Sequence, residues 1–423
     1  MDIKEAIDYI HSLSKFGKKS GLDNIRLLLE KMGNPQDELK FVHIAGTNGK
    51  GSIARFISQG LIEAGLKVGL YTSPYIEVFN ERIQINNENI PDADLIEMVT
   101  LVKEKVEEIN AKDYYPIEFE VITAIGMEYF KRQKCDIVIL ETGLGGRLDC
   151  TNIIKAPIVS VIGAIGFDHT QYLGDKISDI AFEKCGIIKY GSYVVVYQNM
   201  NPAARKVVKH MCMANNVLSS EDGRLTINKM DKNGTSFTFN DIDYEISMMG
   251  EHQVYNAICA INTLRHLKMK FEISDDNIKA GLKKAFWKCR MEVLGKNKDV
   301  IIDGAHNNHA IVEFCKTLKN NYADKEKIII LGMLEEKDYR ASIKEVAKIA
   351  DRLLITKVNS PRQNDVKKIY KTALEYKENA ILYEDNEEAL EFASYMKKDD
   401  SCVFVVGSLY LAGNVRGIVD KYF

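Results

Sequence analysis

The sequence predicts an α/β protein: a parallel, doubly wound sheet domain containing a phosphate loop, followed by a smaller Rossmann-like α/β domain. Three observations predict it. Short apolar runs of strand type alternate with amphipathic helical segments through most of the 423 residues. One such run, Phe41–Ile44, leads into a glycine turn, a lysine, a hydroxyl and a helix. A second βα alternation starts near residue 300, and a chain of this length exceeds one ordinary core.

Residues 1–40 read as short helices, with Ile3, Ile7 and Ile10 on one face and Leu22, Ile25, Leu28 and Leu29 on another. Gly33-Asn34-Pro35 ends that segment, which is too short for a separate N-terminal binding domain of usual size. The loop Gly46-Thr47-Asn48-Gly49-Lys50-Gly51-Ser52 follows the first strand, and a helix is expected over about 53–64. Glycines let backbone N–H groups approach phosphate oxygens, and the helix N-terminus adds positive potential. Lys50 would neutralise the terminal phosphates and a hydroxyl can ligate Mg²⁺. The loop departs from the general P-loop spelling. Ile44 stands where the first glycine belongs, and Gly51 separates Lys50 from Ser52. Taken alone, it also fits a plain strand–helix connection.

Residues 67–72 form the next expected strand, ending in Ser73-Pro74. Residues 75–91 are polar and irregular, with Asn86-Asn87 as a turn, and make a candidate mobile loop. Helices are expected at 92–109 and 119–134, then strands at 136–140 and 158–162. Four loops rich in Gly and ligand-type residues, 46–52, 72–75, 141–152 and 166–170, each follow an expected strand. In open parallel sheets such loops gather at one edge, where ligands bind. Residues 222–250 alternate around Asn233-Gly234 as a hairpin would, and helices at 252–268 and 275–286 close the first domain, 1–294. Residues 295–298 read as a linker. The second domain, 299–423, has strands near 300–303, 327–332, 352–357, 379–383 and 402–406.

Composition narrows the class. With 46% hydrophobic and 28% charged residues the chain reads as globular, and a net charge of −3 gives no electrostatic case for nucleic acid as partner. The start lacks a signal-peptide layout and no apolar run reaches membrane-spanning length, so a cytoplasmic protein without membrane contact is expected. Eight scattered cysteines without a Cys-x-x-Cys pair fit free thiols in a reducing compartment. A switch GTPase is set aside on the expectation that its guanine-reading Asn-Lys-x-Asp motif is missing.

Ordered motifs run from Tyr9 to Arg416: Phe16-Gly17 with Gly21-Leu22, Gly33-Asn-Pro-Gln36, Ala45–Ser52, Thr72-Ser-Pro74, Phe79-Asn-Glu-Arg-Ile83 and Glu141-Thr-Gly-Leu-Gly-Gly-Arg-Leu-Asp149. Asp168-His-Thr170, Glu183-Lys-Cys-Gly-Ile-Ile-Lys189, Gly250-Glu-His-Gln253, Asn256-Ala257, Trp287 with Arg290, Asp303-Gly-Ala-His-Asn307 and Gly407-Ser-Leu-Tyr-Leu411 follow. In these motifs and their order the chain resembles the folylpolyglutamate synthase/dihydrofolate synthase family, relatives of the Mur peptide ligases. The Lys-Gly-Ser ending of the loop is this family's form. Typical Mur ligases carry a further domain before the loop, and the stretch ahead of the loop here is expected to be too short for one.

The resemblance implies ATP-dependent addition of L-glutamate to a folate through an acyl phosphate, and leaves open whether dihydropteroate is taken as well. The alternative is another Mur-type amide ligase with a different acyl substrate; a regulatory P-loop ATPase without ligase activity is the reading from another class. Catalytic roles would fall on Lys50, Lys184, His169 and Glu141. Ser52, Ser73, Glu141 and His169 would serve one or two Mg²⁺ ions, although histidine is an unusual ligand for so hard a cation. ATP would be held by Gly46 to Ser52, Asn256 with His252 and Gln253 nearby, and Arg290, with Asp303 and His306 closing over it from the second domain. Lys184 matches a lysine that the wider family carries as a carbamate; otherwise it is an ordinary helix-surface lysine. Asn256 could equally be a plain helical polar residue and Asp303 a helix cap. The partners implied are folate or dihydropteroate and L-glutamate, with the protein a monomer.

The family often has His where Tyr75 stands, Pro at Asn308 and Gly at Asn87, so the pterin preference is open while the reaction class is not. Cys150, Cys185 and Cys289 lie where small residues are common; they read as packing, or as thiols whose alkylation would inhibit. His11, His43 and His266 carry no motif and read as structural or surface groups.

Overall fold

The computed structural model describes residues 1–14, 21–109, 114–297, 299–335, 338–359 and 365–423. Phe16-Gly17 and Lys298 of the expected linker lie outside them. Contacts divide the chain into two units. The first comprises Met1–Gly166, Thr170–Arg224 and Tyr255–Ala285, and the second Phe167–His169, Leu225–Val254 and Phe286–Phe423.

The first unit is built on a seven-stranded sheet. Its strands are β1 (Phe41–Ala45), β2 (Val68–Tyr71), β3 (Ile83–Ile85), β4 (Glu88–Asn89), β5 (Ile137–Glu141), β6 (Val159–Ile162) and β7 (Tyr193–Val196). They run in the order β4-β3-β2-β5-β1-β6-β7. β1 pairs in parallel with β5 and β6, and β2 with β5, so the chain crosses over on both sides of β1. That is the switch point where a doubly wound sheet opens a crevice at its strand ends. All five residues of β1 are buried, as a central parallel strand requires.

The expected strands of this unit appear within a residue or two of their ranges. β7 was not expected, because four residues give little pattern to read. The stretch 83–89 is ordered rather than irregular: β3 and β4 form a hairpin with Asn86 and Asn87 in left-handed conformation at its turn. Asn87 also accepts from Ser58 Oγ at 3.0 Å and donates to Gln59 Oε1 at 2.7 Å, which ties the hairpin to the phosphate-loop helix Lys50–Glu63. The N-terminal helices Ile3–Ser12 and Asp23–Lys31 do not stand apart. They bury Ala6, Ile10, Ile25, Leu28 and Leu29 in one cluster with the helices Asp92–Glu108 and Glu118–Arg132.

In the second unit an antiparallel sheet, β8 (Leu225–Asp231), β9 (Gly234–Phe239) and β10 (Ile242–Ile246), accompanies a six-stranded one. The expected hairpin thus gains a third strand, because Asn240 and Asp241 form a second left-handed turn. The larger sheet runs β11 (Glu292–Leu294), β12 (Val300–Ile302), β16 (Ser401–Val406), β13 (Glu326–Leu331), β14 (Arg352–Thr356), β15 (Ile381–Tyr383). It is parallel except for β11, which pairs antiparallel with β12. The boundary expected at 294/295 therefore differs from the division by contacts. Leu294 pairs with Val300, so the stretch joining β11 to β12 connects two strands of one sheet, and the 225–246 strands group with the second unit as well.

One expectation needs correcting. The tetrapeptide Asn228-Lys229-Met230-Asp231 does have the guanine-reading spelling. It lies along β8, however, with Asn228 Nδ2 donating to Thr238 Oγ1 at 3.0 Å and Lys229 Nζ 2.8 Å from Asp231. A motif spent on its own antiparallel sheet is not the strand-end loop that reads a base.

Candidate active site

The phosphate loop is held by the loop that leaves β6. Thr47 N donates to Ala164 O at 2.7 Å, and Thr47 Oγ1 both donates to Gly166 O at 3.0 Å and accepts from Gly166 N at 3.1 Å. Gly49 has φ +83° and starts the helix. A Cβ there would stand 2.4 Å from Asn256 Oδ1, so only glycine fits against the buried Asn256 amide. This places Asn256 against the loop at Gly49.

Lys50 folds back over the loop, with Nζ 3.2 Å from Gly46 O and 3.4 Å from Thr47 O. It is also 3.9 Å from Glu141 Oε1, at the end of β5. Glu141 Oε2 lies 3.4 Å from Ser73 N, at the end of β2, so three strand ends converge. Ser52 Oγ is buried and without a hydrogen-bond partner. An orphaned hydroxyl costs about 1–3 kcal/mol, and two residues after Lys50 in the phosphate-loop helix it is a hard oxygen donor suited to a cation. These residues fit Mg²⁺, whose coordination is completed by water and phosphate oxygens. Among the described residues no three His, Cys, Asp or Glu side chains form a metal cluster by themselves.

Lys184 closes the first unit's group. It is 5% exposed, and Nζ donates to Gly46 O at 3.0 Å. It is therefore not a helix-surface lysine. Its position follows from the loop after β5: Arg147 N donates to Glu183 O at 2.7 Å, and a Cβ on Gly146 would meet Lys184 O at 2.6 Å.

The remaining expected residues lie in the second unit. Asp168 is their hub, and sequence reading quoted it without giving it a role. It accepts from His169 N at 2.8 Å and from Asn307 Nδ2 at 2.9 Å, and its carboxylate lies 3.8 Å from both His169 Nε2 and His306 Nε2. His306 Nδ1 is 3.0 Å from Gly304 O. Asp303 does not cap the next helix. That cap is Asn307, which accepts from Ala310 N, while Asp303 takes Met291 N and Ala305 N at 2.9 and 2.8 Å. Burial raises the Asp303 carboxyl above its usual range, against the opposing pull of Arg290. Arg290 itself is presented between Cys289 and Met291, both left-handed.

Cys150, Cys185 and Cys289 are buried, and burial pushes the Cys185 and Cys289 thiols up to about 12 and Cys150 well above its usual value. They are packing residues, not activated thiols.

Two family models match: a Mur ligase middle domain over residues 44–264, and a Mur ligase glutamate ligase domain over 289–409. The dihydrofolate synthase/folylpolyglutamate synthase of Bacillus subtilis (strain 168) is 36% identical over 425 residues, covering 98% of both chains. The chain belongs to the folylpolyglutamate synthase/dihydrofolate synthase family. Among solved structures of the family, the folylpolyglutamate synthase of Thermotoga maritima matches with a TM-score of 0.85 at 32% identity, over 99% of this chain and 96% of that one. A folylpolyglutamate synthase in complex with AMPPCP and folate matches at 0.86 and 33%, over 98% and 99%. The family's α/β architecture is the one described above.

Proposed function

We propose that this chain is an ATP-dependent ligase that joins L-glutamate to the carboxylate of a folate, and of dihydropteroate, through an acyl phosphate. The observation that carries this is the convergence of Lys50, Glu141 and Ser73 at three strand ends of a family member, with the unpartnered Ser52 hydroxyl two residues after Lys50. The family relatives, one of them bound to an ATP analogue and folate, supply the substrate class.

A carboxylate is a poor acyl donor, because its carbonyl carbon is weakly electrophilic and carries no good leaving group. In this reading one of its oxygens attacks the γ-phosphorus, the bond to ADP breaks, and an acyl phosphate forms. The amine of glutamate then adds to the carbonyl carbon and phosphate leaves. Catalysis is chiefly positioning and charge stabilisation. Lys50 and the amides of Gly46 to Ser52 hold the β- and γ-phosphates, and Asn256 fixes the loop at Gly49. Ser52, Ser73 and Glu141 would hold Mg²⁺, which would neutralise charge on the transferring phosphoryl group. A carbamate on Lys184 would keep one N–H for Gly46 O and add an anion beside the loop. Eight free thiols fit a cytoplasmic enzyme.

The test is ADP release with tetrahydrofolate, dihydropteroate or a UDP-muramyl peptide, each with and without glutamate. Turnover is expected with the pteroyl substrates and only when glutamate is present, and Lys50→Ala is expected to abolish it in a folded protein. ATP turnover indifferent to glutamate would leave a regulatory ATPase; turnover with the muramyl peptide alone would leave another Mur-type ligase.

A further inference from the structure

His43 has no role in the chemistry above, yet it sits at 0% exposure in the strand that carries the phosphate loop. Its Nε2 is 2.8 Å from Thr151 Oγ1, and Thr151 is equally buried. Thr151 Oγ1 is in turn 2.5 Å from Asp149 Oδ1. Asp149 also accepts from Thr151 N at 3.0 Å and, through Oδ2, from Leu144 N at 2.7 Å. Both carboxylate oxygens therefore face donors.

The protons in this chain are fixed by elimination. A threonine hydroxyl has one hydrogen; burial raises the Asp149 pKa, but the N–H groups of Leu144 and Thr151 oppose that and favour the carboxylate, which can only accept. The Thr151 hydrogen goes to Asp149, so Thr151 Oγ1 must accept from an Nε2–H on His43. The Nδ1 of His43 is then a bare lone pair, which agrees with its having no partner. Burial, reinforced by Lys189, lowers the His43 pKa to about 3 and keeps the ring neutral.

At its far end the chain reaches the catalytic lysine. Asp149 holds Leu144, and Asp149 N donates to Gly146 O at 3.2 Å. Gly146 lies against the Lys184 carbonyl, Arg147 holds Glu183 O, and Lys184 Nζ returns to Gly46 O. Asn152, next to Thr151, adds bonds to Arg147 O and Gly186 O, both at 3.1 Å. β1 and the Lys184 segment are thus joined twice, once at Gly46 and once beneath it.

We infer that His43, Thr151 and Asp149 form a proton-ordered positioning relay that sets Lys184 against the phosphate loop. The inference rests on the ligase reading for its kinetic consequence but not for its bonding. The kinetic arm compares isosteric lesions with conservative replacements. Thr151→Val and His43→Leu remove the link, and each lowers kcat by about tenfold to hundredfold while the KM for ATP moves by less than about threefold. Thr151→Ser and His43→Gln keep a hydroxyl and an N–H, and restore most of kcat. The double lesion is no worse than the stronger single one, because both break the same link. A merely structural role would instead give additive losses that track the melting temperature.

The bonding arm uses ¹⁵N-histidine-labelled wild-type protein, with His43 assigned by its loss in His43→Gln. A neutral Nε2–H ring supports the relay even if the Val and Leu variants fail to fold; an Nδ1–H ring overturns it. Unchanged kcat in folded Thr151→Val also overturns it. Absence of glutamate-dependent turnover in the wild type would instead sink the ligase reading and leave the ring measurement standing.

Discussion

At the residue scale, backbone conformation separates working positions from ordinary ones. Among the described residues, ten non-glycine residues have positive φ, and six are Asn or Asp, which tolerate it. Of the other four, His169, Cys289 and Met291 stand at or beside expected site residues. Left-handed non-glycine residues cost about 1–3 kcal/mol each and persist where surrounding structure holds them. Here the holders are named: Asp168 accepts His169 N, Glu292 accepts Cys289 N and Asp303 accepts Met291 N. Such strain leaves no mark in sequence, so Arg290 was legible only through its family motif. Lys184 shows the same limit. Its spelling suggested a modified residue, but its burial against Gly46 O comes from the fold. If it is carbamylated, ¹³C-bicarbonate will give a carbamate resonance in the wild-type protein that Lys184→Ala lacks. A spectrum identical in both would exclude the modification, leaving an ammonium that simply ties down Gly46.

At the element scale, periodicity carried most of the fold. The strands 300–302, 326–331, 352–356, 381–383 and 401–406 and the helices 92–108, 118–132 and 251–267 fall where their patterns put them. What failed had physical reasons. β7 and β11 are too short to alternate visibly, and β8 hid a nucleotide-like spelling inside an antiparallel sheet. Helix pairing was not legible at all. The phosphate-loop helix Lys50–Glu63 is crossed by Asp275–Lys284 so closely that a Cβ on Gly281 would lie 2.4 Å from Gly60 Cα. Asn277 Nδ2 donates to Glu63 O and Lys284 pairs with Glu63, both at 2.7 Å, which fixes the crossing at its end. Backbone cannot yield to a methyl as a flexible side chain would. Gly281→Ala is therefore expected to destabilise by about 1–3 kcal/mol and to raise the KM for ATP by displacing the helix N-terminus. Denaturant unfolding and ADP-release kinetics measure both; an unchanged midpoint would show that the helices part without cost.

At the scale of the whole molecule, the thiols distinguish the two units. Seven of the eight cysteines are buried, with Cys135 the exception. Cys150, Cys185, Cys212 and Cys259 lie in the first unit, and Cys289, Cys315 and Cys402 in the second. Burial raises the pKa of all eight thiols, Cys135 to about 12, so the reactive thiolate is scarce throughout; the seven buried ones are shielded as well, and their labelling waits on opening. Brief exposure to iodoacetamide should therefore label Cys135 first and leave activity intact, which decides the question the motif cysteines raised. Longer exposure reads the opening of each unit separately when labelled peptides are weighed. A ligand that binds only the folded state suppresses opening by the factor 1 + [L]/Kd, about a hundredfold at a hundred times Kd. Because the phosphate loop, Asn256 and Lys184 all lie in the first unit, AMPPCP should slow labelling of Cys150, Cys185 and Cys259 by that factor. Protection confined to Cys315 and Cys402 would place the nucleotide on the second unit and remove the phosphate loop from its assigned role.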